Sequence, residues 1–267
     1  MDMEEMGNVV SYMLQHRIVE TKPAGRHLRD GEAEVARSLV GMTLEDRQEL
    51  DGFFSGMKLS FFEYSDINVP SIPKGERVFI LARDLVRGAP SRILSDKVVL
   101  KDMKDKDNES DRDASVWFVH LWLVHLELLY TDKGRAPVQL QRFAEGVFDF
   151  DVFLEKVRDH FEDLRNSLDR KEIAENAAFR IFEKASQAEV ERRCRRFVKL
   201  MLDAGLLARL EKDQYQQTIL SAHEIKRNYN AGLSNFFSTD EVVTPVKAGT
   251  AILTNITDGE SNPQEVS

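Results

Sequence analysis

Residues 189–220 read EVERRCRRFVKLMLDAGLLARLEKDQYQQTIL, and this stretch decides the fold. Its first part carries apolar side chains at the 3.6-residue spacing of one helix face, namely Val190, Cys194, Phe197, Val198, Met201 and Leu202. Gly205 follows and can adopt the left-handed conformation that ends many helices. Leu206–Leu210 and Tyr215–Leu220 then have the composition of two strands, joined by a turn at Glu211–Gln214. The stretch therefore predicts a helix followed directly by a β-hairpin.

The opposite face of this predicted helix is strongly basic. Its candidate residues for binding DNA or a partner are Arg192, Arg193, Arg195, Arg196, Lys199 and, at the hairpin turn, Lys212. A basic helix followed by a β-hairpin is the last half of a winged helix, and such a helix can meet phosphates and base edges. The alternative is a solvated face whose cations pair with Glu189, Glu191 and acids on neighbouring helices.

The N-terminal region has a second arrangement of helices followed by strands. Helices are predicted at Val9–Val19, Glu32–Val40 and Leu44–Phe54. Thr43 begins the third of them as a capping box, because an acid lies three residues further on. A strand is predicted at Lys58–Tyr64, with a short return strand at Val69–Ile72. This region is a second candidate winged helix, and the apolar spacing over Glu76–Arg87 predicts an amphipathic helix after it.

The middle of the chain changes abruptly in character. Residues 101–113 (KDMKDKDNESDRD) are dense in charge, and such a run cannot bury enough apolar surface to order itself. Val116–Leu129 is apolar on almost every side, which predicts a buried helix, and Ser115 is its expected cap. Further helices are predicted at Asp151–Leu168, Arg170–Ala185 and His223–Phe237.

These patterns predict a mainly α fold with small β-hairpins (α+β) in a tandem winged-helix architecture. The predicted organisation is an N-terminal winged-helix domain at 1–100, a charged linker at 101–113, a C-terminal winged-helix domain at 114–237 and a tail at 238–267. The tail is expected to be disordered, because its composition turns to Thr, Ser, Gly, Asn, Pro and acids.

Composition favours a soluble protein of the cytosol. The chain has 267 residues with a net charge of −9, which argues against a protein that coats nucleic acid over its whole surface. Met1–Asn8 does not have the pattern of a signal peptide, and no segment reaches the roughly 20 apolar residues of a membrane span. Cys194 is the single cysteine, which excludes an internal disulfide, and its place on the apolar helix face predicts a buried thiol.

No catalytic motif stands out in the sequence. Neither G-x-x-x-x-G-K-[ST] nor G-x-G-x-x-G occurs, which argues against nucleotide binding by those routes. His120 and His125 lie five apart on the apolar helix and point about 140° apart, so we interpret them as core histidines rather than metal ligands. Asp149 and Asp151 could serve a metal-dependent nuclease, or cap a helix beside core aromatics. We predict a protein that is not an enzyme and uses no cofactor and no metal.

The layout resembles the tandem winged-helix ("kite") subunits of bacterial SMC complexes, in particular the MukE-like subunit of bacterial condensins and related plasmid-defence complexes. The likeness covers about residues 10 to 237 and rests on the order of elements, with core landmarks at Phe197, Leu206, Leu207 and Tyr215. It implies a non-enzymatic, homodimeric subunit that binds a kleisin-type partner and helps to hold DNA beneath the SMC ATPase heads. The N-terminal half departs from a DNA-binding pattern by its low basic content, which favours protein binding.

Two other functions compete with this interpretation. A stand-alone winged-helix transcriptional regulator would bind one DNA sequence specifically, and Arg196→Ala would relax its base preference. The adaptor instead predicts weak, salt-sensitive and sequence-indifferent DNA binding. A nuclease that uses dispersed acids is the third possibility, and metal-dependent cleavage lost on Asp149→Ala would identify it.

Overall fold

The structure of this chain is a computed structural model, which describes residues 1–23, 26–83, 96–106, 108–167 and 177–233. These residues form a mainly helical fold with two small antiparallel sheets, so the predicted α+β class is confirmed. The predicted tail at 238–267, the end of the last predicted helix beyond residue 233 and the start of the helix predicted at Arg170–Ala185 lie outside the described residues.

The described residues of the N-terminal half form three helices and a three-stranded sheet. The helices are α1 (Met3–His16), α2 (Glu32–Gly41) and α3 (Leu44–Gly56), and the strands are β1 (Ile18–Glu20), β2 (Leu59–Ser65) and β3 (Arg77–Arg83). β3 lies in the middle and pairs antiparallel with both neighbours, so that Ile80 faces Ile18 on one side and Phe62 on the other. Thr43 forms the predicted capping box with Asp46, so α3 begins where the sequence predicts.

Two predictions for this half are wrong. Arg77–Arg83 is a strand, whereas the apolar spacing predicts a helix there. Because β3 is central and covered on both faces, every residue from Val78 to Ala82 is buried, and a continuous apolar run lacks the two-residue alternation that marks a strand. Val69–Ile72 is a loop rather than the return strand, with Val69 and Ile72 buried in the larger core.

The C-terminal half has six helices among the described residues and a second three-stranded sheet. The helices are α4 (Asp96–Met103), α5 (Asp111–Leu126), α6 (Phe150–Ser167), α7 (Ala177–Lys184), α8 (Gln187–Asp203) and α9 (Ile219–Leu233). A π-helical turn, Glu127–Thr131, extends α5, and a 3₁₀ helix covers Leu140–Glu145. The strands are β4 (Val147–Asp149), β5 (Leu207–Glu211) and β6 (Gln214–Gln217), with β6 in the middle. In both sheets, the strand that comes last in sequence is therefore central.

Some element boundaries differ from the predictions by a few residues. α1 ends at His16 because Arg17 adopts a left-handed backbone with φ of 63°, and Val19 consequently belongs to β1. At the C-terminal hairpin, the second strand ends at Gln217, and Ile219 already begins α9. Ile219 and Leu220, the apolar pair at the end of the predicted strand, therefore belong to α9.

Residues 101–113 are not the solvated linker that their composition predicts. Their first three residues complete α4, where Met103 is fully buried. α5 begins at Asp111, and Ser110 caps it instead of Ser115, since the Ser110 hydroxyl accepts a hydrogen bond from the Asp113 amide at 3.1 Å. Asp105 and Glu109, between the two helices, form ion pairs with Arg192 and Arg193 of α8, and these pairs offset part of the charge of the run.

The larger hydrophobic core joins the two halves. It contains Ile18 and Ile80 of the first sheet together with Trp117 of α5 and Phe197 of α8. A smaller core lies within the N-terminal half, between its three helices and its sheet. α9, the last described helix, packs against β3. The larger core therefore contains residues from both sides of the predicted linker, whereas the smaller core contains residues of the N-terminal half alone.

α5 and its π-helical turn form the most apolar helical segment of the structure. By length and composition, Asp111–Thr131 is the one described helix that could cross a membrane, although the sequence suggests no such segment. Its most apolar window is 61% buried inside the protein, as in the core helix of a soluble protein. The predicted burial of Val116–Leu129 is confirmed along most of its length, and His120 and His125 are both buried.

Candidate functional site: the arginine helix

α8, which carries the cations singled out in the sequence, is well defined at both ends. Ser186 caps its start by accepting a hydrogen bond from the Glu189 amide at 3.2 Å. Gly205, with φ of +71°, turns the chain into β5 as predicted. The apolar face is buried as the spacing predicts, including Cys194, whose burial raises the pKa of the thiol to about 12. α8 is called the arginine helix below.

Arg193 does not lie on the outer face of the arginine helix, contrary to the prediction. Its side chain is only 3% exposed and donates hydrogen bonds to the Met103 carbonyl and to both carboxylate oxygens of Glu109, at 2.7 Å. The guanidinium also lies 5.2 Å from the ring centroid of Trp117. Position 193 follows Val190 by three residues, so it flanks the apolar stripe and is covered when that stripe is packed.

Arg192 and Arg196 lie on the outer face but are bound to the segment that follows α4. Arg192 makes a two-pronged contact with Asp105, at 3.0 and 2.7 Å, and hydrogen bonding to Arg192 lowers the pKa of the Asp105 carboxyl. Arg196 donates hydrogen bonds to the Asp102 and Lys104 carbonyls, and its guanidinium lies 3.8 Å from Asp105. The Asp105 side chain, 6% exposed, is thus enclosed between two arginines.

Arg195 and Lys199 pair with acids of their own helix, one turn away. Arg195 donates to Glu191 at 2.9 Å and lies 4.3 Å from the ring centroid of Phe150. Lys199 contacts Asp203 and remains 76% exposed. Pairs of this kind at four-residue spacing contribute little to stability and are screened by salt, so both cations stay accessible to a ligand.

Lys212 lies in the turn between β5 and β6 and is exposed. The structure records no hydrogen bond or ion pair from its side chain to another described residue. Of the six candidates, Lys212 is thus the cation without an ion-pair or hydrogen-bond partner in the described part of the chain.

The five cations of the arginine helix therefore each have a partner inside the protein. This arrangement agrees with the alternative interpretation, in which the basic face is partly solvated and its cations pair with acids of the protein. The sequence analysis did not identify all of these acids. The acids that hold Arg192 and Arg193, Asp105 and Glu109, come from the run at 101–113. Glu109 also accepts a hydrogen bond from the Asp105 amide at 2.7 Å, which orders the segment. A signal was present in the sequence, because an acid-rich run and an arginine-rich helix in one chain are complementary in charge.

The other candidate residues form no site. Asp149 ends β4, is exposed and accepts a hydrogen bond from Gln214 at 3.3 Å, whereas Asp151 lies in the first turn of α6. Within the ranges that the structure describes, no group of three His, Cys, Asp or Glu side chains is placed to hold a metal ion. His120 is buried with its ring 4.9 Å from that of Phe161, and burial lowers the pKa of His120 to about 3.

Two adjoining hollows lie between α1 and α2. Their volumes are about 300 and 270 Å³, and both are lined by Glu5, Glu34 and Ser38. The described residues that line them include no histidine, cysteine or lysine.

Comparison with family models, with curated proteins and with solved structures finds no match to this chain. Interpretation of its function therefore rests on the geometry described above.

Proposed function

We propose that this chain is a tandem winged-helix adaptor: a non-enzymatic, homodimeric, cytosolic subunit of an SMC/condensin-like complex that binds a kleisin-type partner. Support for the architecture comes from the order of elements. The N-terminal half runs helix, strand, two helices, then two strands. Among its described residues, the C-terminal half has helices before its first strand, then three helices and two strands, and α9 follows its hairpin. Each sheet places its first and second strands on either side of its third. That order is the one expected of a winged helix, in which the helix before the hairpin is the recognition helix.

The observation that favours protein binding over DNA binding is the charge on these two helices. α3 precedes the hairpin of the N-terminal half and exposes Glu45, Glu49 and Asp51. Arg47, the one cation of α3, is bound to Glu63 at 2.7 Å. Such a surface repels phosphates. In the C-terminal half, the arginine helix is paired with acids of the chain itself.

Exposed apolar side chains on α3 support a protein partner. Leu44 is 80% exposed and Phe53 is 53% exposed, and both lie on the helix that carries the acids. Large apolar side chains next to unbalanced acids suit a partner segment that is itself apolar and basic, and aromatic residues supply much of the binding energy at protein interfaces. This arrangement fits the protein-binding part of the adaptor proposal.

Co-expression with a candidate kleisin-type protein tests the proposal. A complex of fixed stoichiometry should elute together in size-exclusion chromatography with light scattering, and the mass of the isolated chain should be that of a dimer. Phe53→Glu should abolish co-elution. Val152→Glu is the matched control, because Val152 is 47% exposed on α6, and it should leave the complex intact. Equal effects of both substitutions, or no complex with any kleisin-type protein, would contradict the adaptor.

A sequence-specific transcriptional regulator is the second candidate. The position of the arginine helix directly before a hairpin, with Lys212 exposed in the turn, favours it. The adaptor predicts that selection from a random DNA library enriches no sequence. Recovery of one site, together with relaxed base preference in Arg196→Ala, would instead establish the regulator.

A further inference from the structure

The segment from Asp102 to Glu109 contacts three arginines of the arginine helix, Arg192, Arg193 and Arg196, whose side chains differ in burial. Glu109 and the Met103 carbonyl both bind Arg193, whose side chain is 3% exposed, so these contacts are part of the core. Asp105, which lies between Met103 and Glu109 in the chain, binds Arg192, and Arg196 donates hydrogen bonds to the Asp102 and Lys104 carbonyls. The side chains of these two arginines are 52% and 40% exposed, whereas the Asp105 side chain between them is only 6% exposed.

Asp105 occupies the position that a phosphate would take on this surface. Two oxygens of one anionic group meet the fork of Arg192 at 2.7 and 3.0 Å, and a second guanidinium lies 3.8 Å away. Arginine binds phosphate with the same two-pronged geometry that it uses for carboxylate. We propose that Arg192 and Arg196 form a binding site for the phosphate backbone of nucleic acid, which Asp105 closes by occupying it in the unbound protein.

The contacts on either side determine how this site opens. The Glu109–Arg193 pair is enclosed and also rests on Trp117, so it anchors the segment. Met103 limits the movement of this segment, because its side chain is fully buried and its carbonyl accepts a hydrogen bond from Arg193. Lys104 and Asp105 are half-buried and Lys106 is exposed, so residues 104–106 can move outward while Met103 stays in the core. Arg192 and Arg196 are open to solvent on their outer side although Asp105 is enclosed, so a ligand that offers several phosphates can reach both arginines and displace the single carboxylate.

The surroundings of the site fit an extended polyanion rather than one small anion. Arg195 and Lys199 continue the outer stripe of the arginine helix, which spans about 10 Å from Arg192 to Lys199 at 1.5 Å per residue. Both are exposed and paired only with acids on their own helix. Lys212 lies in the hairpin turn that follows. This inference extends the adaptor proposal without depending on it, because it concerns the isolated chain and nucleic acid alone.

Asp105→Asn tests the proposal in the full chain. The probe is a fluorescent DNA duplex of random sequence, titrated at several salt concentrations. The variant should bind at least about fivefold more tightly than the wild type at low salt. The slope of log K against log salt should steepen by about 1 to 2, since each additional phosphate contact adds about 0.9.

Glu191→Gln is the matched control, because it removes one negative charge next to Arg195 on the same helix but leaves Asp105 in place. It should change the affinity less than about twofold. Adding Arg192→Ala to Asp105→Asn should abolish the gain. Equal gains in Asp105→Asn and Glu191→Gln would show a general charge effect and overturn the proposal, as would no gain in a folded Asp105→Asn protein.

Hydrogen exchange in the wild-type protein provides a second test that does not rely on a variant. The Asp105 amide donates to Glu109, so closure protects it. Exchange in residues 104–106 should become faster when the duplex is added, while the peptide around Arg193 stays protected. Unchanged or slower exchange in residues 104–106 at saturating DNA would overturn displacement of Asp105. Both experiments can fail while kleisin binding succeeds, which separates this proposal from the adaptor.

Discussion

Arg17 and Glu224 are 207 positions apart in the chain and form a buried ion pair, with both side chains at most 3% exposed. Glu224 also accepts hydrogen bonds from Arg83, at 2.8 Å from Nη2 and 3.0 Å from Nε. Arg17 ends α1, Arg83 ends β3 and Glu224 lies in α9, so one carboxylate connects the last described helix to the N-terminal sheet. Burial would raise the pKa of Glu224, but the two arginines hold it below its usual value.

Glu224→Gln should therefore destabilise the protein by about 3–5 kcal/mol, because glutamine keeps the volume but leaves two buried guanidiniums without a counter-charge. Urea unfolding followed by circular dichroism measures the change. The control is Glu145→Gln, which breaks an exposed pair with Arg142 and should leave the midpoint of unfolding unchanged. A shift in Glu224→Gln as small as that of the control would show that the cluster does not hold the halves together.

The elements that sequence predicts well are those whose signal is local. The arginine helix, Gly205 after it, the β-hairpin and the Thr43 capping box all depend on residues within a few positions of each other. Spacing, backbone preference and capping act over that range, so the pattern is readable in one sequence.

The features that sequence does not predict depend on distant parts of the chain. β3 has no alternating pattern because α9 and other elements cover it on both faces. Arg193 is buried because Glu109, 84 positions away, supplies its counter-charge. Asp105 likewise becomes ordered through Arg192, 87 positions away. From sequence alone, a charged residue is predicted to be exposed to solvent. Its burial depends on an oppositely charged partner that only the tertiary fold brings into contact with it.

At Gly205, a backbone turn of the C-terminal half lies close to the end of α1. Its φ is +71°, and an added Cβ would lie 3.0 Å from the His16 carbonyl oxygen. Gly205→Ala should cost about 1–2 kcal/mol for the left-handed backbone and a further amount for that contact. Gly134→Ala is the control, because Gly134 has φ of +56° with open space around it. Equal losses of stability in the two variants, measured by thermal unfolding, would mean that α1 moves away from the added methyl group without an energetic penalty.

Arg193→Ala should destabilise the protein strongly, by about 3–5 kcal/mol, since it leaves Glu109 without its main partner and uncovers Trp117. Arg195→Ala, on the same helix and in an exposed pair, should have a much smaller effect on unfolding by urea. Comparable effects of the two substitutions would mean that Arg193 is not buried and lies on the exposed basic face, as the sequence pattern predicts.

Acid should unfold the protein through its buried histidines, and His125 offers the clearest case. Burial lowers the pKa of His125 to about 3, against an ordinary value near 6.5. The unfolded chain therefore takes up a proton that the folded chain rejects, so the stability is fully present above about pH 6.5 and falls as the pH decreases toward 3. At pH 5 this amounts to about 2 kcal/mol for one histidine, from 1.5 pH units at 1.36 kcal/mol each.

His125→Leu isolates this contribution. The ring lies among Phe148 and Phe197, and neither ring nitrogen has a hydrogen-bond partner among the described residues, so an apolar side chain of similar volume suits the site. The free energy of unfolding at pH 7.5 should be equal to or above that of the wild type. Between pH 7.5 and pH 5, the variant should lose about 2 kcal/mol less than the wild type. Parallel pH profiles for the two proteins would mean that His125 titrates normally in the folded state and is not enclosed as the structure has it.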